Sequence, residues 1–173
     1  MILGIDIARS MGLVENLCDR ELNNPEGAGL DIRVGEIFKN KNFGFLGIED
    51  RKTPDIESIA KHGKNKEYFL KPNEYVLIKT MEKLNLPENI AALTFPRSTL
   101  QRCGVLLLAT QTSPGYKGEL IFGLKNLSDE NFKLELGARV AHIMFFEVKG
   151  KTINYRGQWQ DGRVNTKGEE KQR

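Results

Sequence analysis

The stretch of the sequence with the most chemical potential is a polar turn, ATQTSPGYKGEL at residues 109–120, between two apolar runs. Hydroxyl and amide side chains crowd positions 110–113, a Pro-Gly pair predicts a sharp bend at 114–115, and Tyr116 follows with an aromatic face. These side chains could bind a polar ligand that lies against the backbone of the turn. The acid Glu119 comes only after the turn, where a strand is expected, so the turn predicts binding and leaves catalysis open.

A second polar cluster, FPRSTLQR at residues 95–102, offers two guanidinium groups and two hydroxyls around a short predicted helix. Free backbone N–H groups at the start of a helix, together with hydroxyls and arginine guanidinium groups, can bind the oxygens of an oligophosphate. The alternative is an ordinary helix cap with a surface arginine. The residues that would bind phosphate are Arg97, Ser98, Thr99 and Arg102.

Two further segments place functional groups beside glycines. GAGLD at 27–31 allows close backbone approach and puts the carboxylate of Asp31 at the start of a strand. YRGQWQ at 155–160 contains Trp159, the single tryptophan of the chain, in a segment too polar for a core. A tryptophan between two glutamines suits stacking and hydrogen bonding to a base, or else anchors the loop to the domain.

Most of the predicted secondary structure is β-strand, and these strands must position the polar side chains named above. Residues 30–34 and 132–136 alternate apolar and charged side chains, while 75–78, 105–108 and 140–146 are apolar runs. Strands arrive every ten to fifteen residues with turn residues between them, which favours an all-β sandwich or barrel over alternating βαβ units. Short helices are predicted at Asp6–Met11, Asp55–His62 and Ser98–Arg102.

Length and composition limit the class of protein. The 173 residues predict one domain at 1–164, with an arm from about 150 to 164 and a mobile polar tail at 165–173. A net charge of +3 is too small to indicate a nucleic-acid partner. The longest apolar run, 105–109, is too short to span a membrane, and the first residues do not resemble a secretory leader, so a cytoplasmic protein is expected.

Several familiar catalytic layouts are absent from the sequence, including the Walker loop and the GxGxxG, GxSxG and HExxH motifs. Cys18 and Cys103 match no metal or redox spacing and are expected to be free thiols. His142 lies within an apolar strand, where a packed or hydrogen-bonded histidine is expected more than a metal ligand.

Taken in order, the polar clusters resemble the five motifs of the dUTPase and dCTP deaminase family. GAGLDIRV is similar to its first motif, FPRSTLQR to its second, TSPGYKGE to its third and GARVAHIMF to its fourth. YRGQWQDGRV resembles its glycine- and glutamine-containing C-terminal arm. The resemblance covers residues 1–164 and implies a distorted, jelly-roll-like β-barrel with a few short helices and a C-terminal arm. It also implies a homotrimer with shared sites for pyrimidine deoxynucleoside triphosphates bound with magnesium.

The resemblance assigns roles residue by residue. Arg97, Ser98 and Thr99 would hold phosphates with Arg102 nearby, and Asp31 would orient the metal-bound phosphates through water. Tyr116 would lie under the deoxyribose and leave no room for a 2′-hydroxyl. Backbone at Ala109, Gln111 and Ser113 would read the pyrimidine. The arm residues Tyr155, Gln158, Trp159 and Gln160 would close over the nucleotide.

Two departures concern catalysis. The family's water-activating aspartate in the third motif is replaced by Ser113, and the deaminase glutamate on the following strand is replaced by Gly123. A serine has no lone pair of carboxylate basicity near neutral pH. Of the residues that the resemblance assigns to catalysis, Arg102 is retained and would have a supporting role. Glu119 is four residues from the glutamate position and is interpreted as a surface or interface carboxylate.

Three functions are compatible with the sequence. The preferred one is a dUTP diphosphatase, in which binding, a metal ion and a positioned water supply most of the catalysis. A dCTP deaminase is favoured by the N-terminal segment and the RGQWQ arm and opposed by Gly123; a zinc-dependent deaminase is opposed further by the lack of a His/Cys cluster. The third is a non-catalytic nucleotide-binding or regulatory homologue, and an unrelated β-sandwich binding module is the residual class.

Overall fold

β-Strands are the main regular secondary structure of the protein in the computed structural model, which describes residues 1–172. In chain order the elements are α1 (Ile5–Ser10), β1 (Val14–Glu15), α2 (Asp19–Asn23), β2 (Leu30–Asn40), β3 (Phe45–Leu46), β4 (Asp50–Lys52), β5 (Ile56–Lys61), β6 (Glu67–Leu70), β7 (Tyr75–Asn85), β8 (Ile90–Pro96), α3 (Ser98–Arg102), β9 (Val105–Leu108), β10 (Lys117–Asn126), β11 (Phe132–Glu135), β12 (Arg139–Glu147), a 3-10 turn (Gln160–Gly162) and β13 (Glu170–Lys171). The predicted strands are all present, and the mainly β class is confirmed.

One eight-stranded antiparallel sheet forms a nearly closed, barrel-like wall in the order β8-β12-β2-β7-β10-β9, with β1 paired to β7 and β5 paired to β2. A two-stranded sheet of β6 and β11 and a three-stranded sheet of β3, β4 and β13 complete the fold. The distorted barrel predicted from the sequence is therefore confirmed.

The long strand β7 shows how the sequence sets the two faces of the wall. Its side chains alternate strictly between inside and outside, and the inward positions include two polar residues, Thr80 and Glu82. The Thr80 hydroxyl accepts a hydrogen bond of 2.9 Å from the Leu120 amide, where the register of β10 shifts by a bulge. Because a bulge leaves a backbone group without a ladder partner, the threonine is placed where the sheet needs an acceptor.

The helix predictions are partly correct. Ser98–Arg102 is helical as predicted, and the predicted Asp6–Met11 helix occurs as Ile5–Ser10. The prediction for Asp55–His62 is wrong, because this segment forms β5 along the exposed side of β2, where Ile56 pairs with Asn40. Its β-branched isoleucines favour a strand once an edge is available to pair with.

The polar tail makes specific contacts with the rest of the fold. Thr166 is 1% exposed, and its Oγ1 accepts the Thr53 amide at 3.0 Å while the Thr166 amide donates to Thr53 Oγ1 at 2.8 Å. Glu170–Lys171 then pairs with β4. Residues 165–172 are thus held by the threonine hydrogen bonds and by strand pairing, neither of which the low apolar content of the tail predicts. Arg173 lies outside the described residues.

Both cysteines are free, as predicted. Within residues 1–172, no helix has the length and apolar character needed to cross a bilayer.

The paired threonines predict how firmly the tail is held. Thr166→Val leaves the partly buried Thr53 amide without its acceptor, so the free energy of opening residues 165–172 should fall by about 1–3 kcal/mol. Native-state hydrogen exchange of the tail amides measures this quantity.

Thr94→Val is the matched control, because Thr94 Oγ1 is buried without a partner among residues 1–172. This second variant should leave the tail unchanged and not lower global stability. Equal exchange rates in the wild type and Thr166→Val would contradict the attachment.

Candidate functional site

A cavity of about 450 Å³ lies between the outer face of the sheet and the C-terminal arm. One wall is the polar turn at 110–113 with Tyr116 behind it, and the floor comes from strands β2, β7 and β10. Tyr155, Trp159 and Arg163 of the arm, with Thr53 and Pro54 after β4, complete it. The structure therefore brings the third motif and the arm together in one chain.

The polar turn is fixed through its backbone. The Thr112 amide donates to the Ala92 carbonyl at 2.8 Å, and the Ala92 amide donates to the Thr112 carbonyl at 3.0 Å. Within the turn, Gln111 Nε2 donates to Ser113 Oγ at 3.2 Å. Both side chains line the cavity, whereas Ala109 precedes the lining residues. The wall is thus a rigid edge of backbone and small polar groups.

The arm is attached to the same turn by Gln160. Its Nε2 donates to the Gly115 carbonyl at 3.0 Å, and its Oε1 accepts the Lys117 amide at 2.8 Å. The Tyr155 amide adds a hydrogen bond of 2.7 Å to the Pro114 carbonyl. Gln160 therefore holds the arm in place and does not line the cavity.

Trp159 lies in the roof of the cavity between two cations. The guanidinium carbons of Arg51 and Arg163 are 5.3 and 5.9 Å from its ring centroid, within cation–π range. Gln158 lies outside the lining and donates to Glu170 at 2.6 Å. Of the predicted arm residues, Tyr155 and Trp159 face the cavity, while the two glutamines fix the arm.

Tyr116 is only 6% exposed and packs edge-to-face against Tyr155, with ring centroids 5.5 Å apart. Its hydroxyl donates to the Glu119 carbonyl at 2.5 Å. Burial raises the pKa of Tyr116, so the phenol stays neutral. Its ring forms a firm surface at one side of the cavity.

The second motif does not line this cavity. Ser98, Thr99 and Arg102 are exposed on α3, and Arg97 and Thr99 border a separate depression formed with β11 and Arg139. Within a single chain, the predicted phosphate-binding residues and the predicted base-binding residues are therefore on different surfaces.

A charged cluster lies next to α3 and is centred on Asp31. Its Oδ2 accepts hydrogen bonds from Arg97 and, at 3.0 Å, from Arg139, while His142 Nδ1 is 2.9 Å from Oδ1. Burial alone would raise the pKa of Asp31, but the His142 hydrogen bond and the two guanidinium groups outweigh it, and the pKa lies below its usual value. The carboxylate is held ionised.

The fully buried Glu21 completes the cluster: its Oε2 accepts the Asp31 amide at 3.0 Å, and its Oε1 pairs with Arg20 at 2.6 Å. Sequence reasoning missed Glu21 and the role of Arg139. Arg139 belongs to the GARVAHIMF motif, and this was the sequence signal from which its role could have been inferred.

The donor set around Asp31 does not suit a directly bound magnesium ion. Both carboxylate oxygens already accept hydrogen bonds. No group of three or more His, Cys, Asp or Glu side chains within residues 1–172 is arranged to hold a metal. Magnesium commonly binds proteins through one or two carboxylates together with substrate phosphates.

Carboxylates are absent from the cavity lining formed by the described residues. Ser113 stands in the wall, and Gly123 lies under Tyr75, whose hydroxyl would be 2.6 Å from a Cβ at that glycine. Glu119 faces away from the cavity, with Lys83 at 4.0 Å. This placement agrees with its interpretation as a surface carboxylate.

Sequence reasoning missed Asn40, Thr53, Tyr75 and Arg163 in the lining. The first three stand at or near strand ends without a motif around them. Their proximity depends on the pairing of β2 with β7 and on the attachment of the arm.

Known proteins similar to this chain carry two different activities. A dCTP deaminase from Protochlamydia amoebophila is 30% identical over 125 residues, which are 72% of this chain and 66% of that protein. A probable deoxyuridine 5′-triphosphate nucleotidohydrolase from Aeropyrum pernix is 34% identical over 77% of this chain and 82% of the relative. The corresponding enzyme from Methanocaldococcus jannaschii is 28% identical over 91% of this chain and 97% of its own length.

A structural relative supports the same fold. The crystal structure of 2′-deoxycytidine 5′-triphosphate deaminase from Agrobacterium tumefaciens matches with a TM-score of 0.64 at 18% identity, covering 83% of this chain and 48% of that one. The chain spans just under two thirds of the first curated deaminases it matches, at 63–66% of their length. The family profile described as dCTP deaminase-like matches residues 7–148, and the chain belongs to this family of dUTPases and dCTP deaminases.

Proposed function

We propose that the protein binds a pyrimidine deoxynucleoside triphosphate in the cavity between the polar turn and the arm, and that it hydrolyses dUTP slowly to dUMP and diphosphate. The observation that carries this proposal is the cavity itself: its wall is rigid backbone, its side is the Tyr116 ring, and no carboxylate of the described residues lines it. Its volume of about 450 Å³ lies in the range of ligand pockets.

The proposed orientation of the nucleotide follows from the walls. The base lies along the backbone of residues 110–113, which the two hydrogen bonds between Thr112 and Ala92 hold in place, so the wall needs no rearrangement to receive a pyrimidine. The deoxyribose lies on the Tyr116 ring, whose hydroxyl is engaged with the Glu119 carbonyl and which therefore cannot turn aside. Trp159 covers the nucleotide from the arm.

The triphosphate is proposed to be bound by a second copy of the chain. Arg97, Ser98, Thr99 and Arg102 do not line the cavity of their own chain, yet they offer hydroxyls and guanidinium groups for phosphate oxygens. A homotrimer with shared sites supplies these groups from a neighbour. Magnesium would enter with the triphosphate and neutralise part of its charge, while Asp31 acts by orienting Arg97 and Arg139.

Hydrolysis is favoured over deamination by the floor of the cavity. The deaminase glutamate position is Gly123, and the space a side chain would occupy there is taken by Tyr75 and, at 3.1 Å, by Leu108 Cδ1. The match to nearly the whole length of the M. jannaschii hydrolase, against 63–66% of the first curated deaminases, points the same way. A slow rate is expected because Ser113 replaces the carboxylate that would activate water.

The test is to incubate the purified protein with dUTP, dCTP and dTTP in the presence of magnesium and to resolve the products. Slow release of dUMP and diphosphate from dUTP, with no dUTP formed from dCTP, is expected. Formation of dUTP and ammonia from dCTP would contradict the proposed reaction. Saturable nucleotide binding without any product would instead identify a non-catalytic homologue.

Restoring an acid at position 113 should increase the rate. General-base assistance commonly contributes 10²–10⁴ in rate, and Ser113 already faces the cavity from a fixed turn. Ser113→Asp should therefore raise dUTP hydrolysis at least about tenfold.

Gly123→Glu is the control for Ser113→Asp, since its side chain would collide with Tyr75. It should not raise hydrolysis, and it should lower thermal stability. If Ser113→Asp slows a brisk wild-type reaction, the protein has another activating group and the slow-hydrolase proposal is wrong.

The two arginines of the second motif should behave differently. Arg102 is exposed and has no ion pair within residues 1–172, so Arg102→Ala should weaken triphosphate binding by about 1.5–3 kcal/mol with little effect on stability. Arg97→Ala should weaken binding and also raise the pKa of Asp31.

Acid unfolding distinguishes these two variants. The ionised Asp31 stabilises the fold above its ordinary pKa of 3.8, and this contribution is lost as pH falls through the lower folded value. Arg97→Ala should shift the loss to higher pH, whereas Arg102→Ala should not. Unchanged binding in both variants, or a strict monomer by sedimentation, would exclude the shared phosphate site.

A further inference from the structure

Two polar side chains, Asn40 and Tyr75, lie on the floor of the cavity, and the interactions proposed so far use neither. Asn40 ends β2 and Tyr75 begins β7. These strands pair antiparallel with Phe38 opposite Leu77, so the next position on the same face sets Asn40 opposite Tyr75. The two side chains thus form one polar patch on an otherwise largely apolar floor that includes Leu77 and Ile121.

The Asn40 amide oxygen is shielded from solvent and has no hydrogen-bond partner within residues 1–172. A buried acceptor without a donor is costly, and most such groups in folded proteins are paired. Asn40 also lines the cavity. Because residues 1–172 supply no donor, a 180° turn of the Asn40 amide that exposes this oxygen to the cavity would let it accept a ligand N–H.

The Tyr75 hydroxyl stands over Gly123, 2.6 Å from the position of a Cβ there. Burial raises the pKa of Tyr75, with no hydrogen bond or charge contributing. Tyr68 differs, because a hydrogen bond to Glu74 adds to the effect of burial. Tyr75 therefore presents a neutral phenol O–H to the cavity, free to donate to a ligand acceptor.

We propose that Asn40 and Tyr75 bind the hydrogen-bonding edge of the pyrimidine base and determine base affinity. The Asn40 oxygen accepts a base N–H, and the Tyr75 hydroxyl donates to the neighbouring acceptor. Uracil offers such an edge as N3–H beside O4, and cytosine offers it as the N4 amino group beside N3. This inference rests on the proposed nucleotide binding and adds side-chain recognition to the backbone wall of the turn.

Asn40→Leu and Tyr75→Phe test the assignment, because each removes the polar group and keeps much of the shape. Asn131→Leu, at an exposed position outside the lining, and Tyr68→Phe, on a phenol bound to Glu74, are the matched controls. Calorimetry measures the affinity of each protein for dUTP, for dCTP and for an abasic deoxyribose triphosphate, all with magnesium. The abasic compound reports the phosphate and sugar contacts alone.

Each floor variant should lose about tenfold in affinity for its preferred base, while its affinity for the abasic triphosphate stays unchanged. The ligand that loses more, dUTP or dCTP, identifies the base that is read. Asn40→Leu should in addition raise the melting temperature of the free protein, since it removes a buried unpaired oxygen. A residue with a purely structural role would lower the melting temperature instead.

Three outcomes would overturn the inference. Wild-type affinity for dUTP and dCTP in both floor variants would show that the base is not bound there. Equal losses for the abasic triphosphate and the nucleotides would show that the substitutions disturb the whole site. A wild type that binds none of the three ligands would refute the proposed function together with the inference, whereas the first two outcomes leave the proposed function intact.

Discussion

The cavity depends on one close approach of two backbone segments. Gly118 on β10 has a φ of +121°, and a Cβ at this position would lie 2.5 Å from the Gly162 nitrogen and 2.7 Å from the Asp161 Cα. Only glycine allows the 3-10 turn of the arm to lie directly on the strand. The side-chain bonds of Gln160 then complete the attachment. Without this contact the roof of the cavity, including Trp159, would have no fixed position.

A second constraint acts outside the cavity lining, around Asp31. The Asp31 cluster joins β2, the segment leading into α3, and β12, and Glu21 adds α2. Removing one partner from such a buried network leaves an uncompensated charge, which is far more costly than losing a surface pair. The cluster therefore holds Arg97 and Arg139 at fixed positions, while the cavity is held separately by the arm. The cavity and the surface around Arg97 are thus separate within one chain.

Much of this could be predicted from the sequence, because strand periodicity and turn residues are local. The apolar run at 75–78 and the Pro-Gly bend at 114–115 correspond to β7 and to a turn in the structure. Asp55–His62 was misassigned because only its pairing with β2 makes it a strand. The Thr53–Thr166 pair, 113 residues apart in sequence, and the Asn40–Tyr75 patch are long-range contacts that no local pattern encodes.

The site was predictable to the same extent. Turn and arm residues were recognised by their motifs, and the structure brings Ser113, Tyr116, Tyr155 and Trp159 together. The roles of Gln158 and Gln160 could not be predicted, since a glutamine that anchors a loop and one that contacts a ligand have the same sequence signature. Their hydrogen bonds to Glu170 and to the turn distinguish them only in three dimensions.

The contact between Tyr75 and Gly123 also restricts how this sequence can evolve. A side chain at 123 would have to displace the tyrosine, whereas shortening the tyrosine alone opens the floor without supplying an acid. The two positions are therefore energetically coupled: the effect of a change at one depends on the residue at the other. With Tyr75 in its present position, a glutamate at 123 becomes tolerable only after the tyrosine moves or is replaced, so Tyr75 limits which residues position 123 can accept.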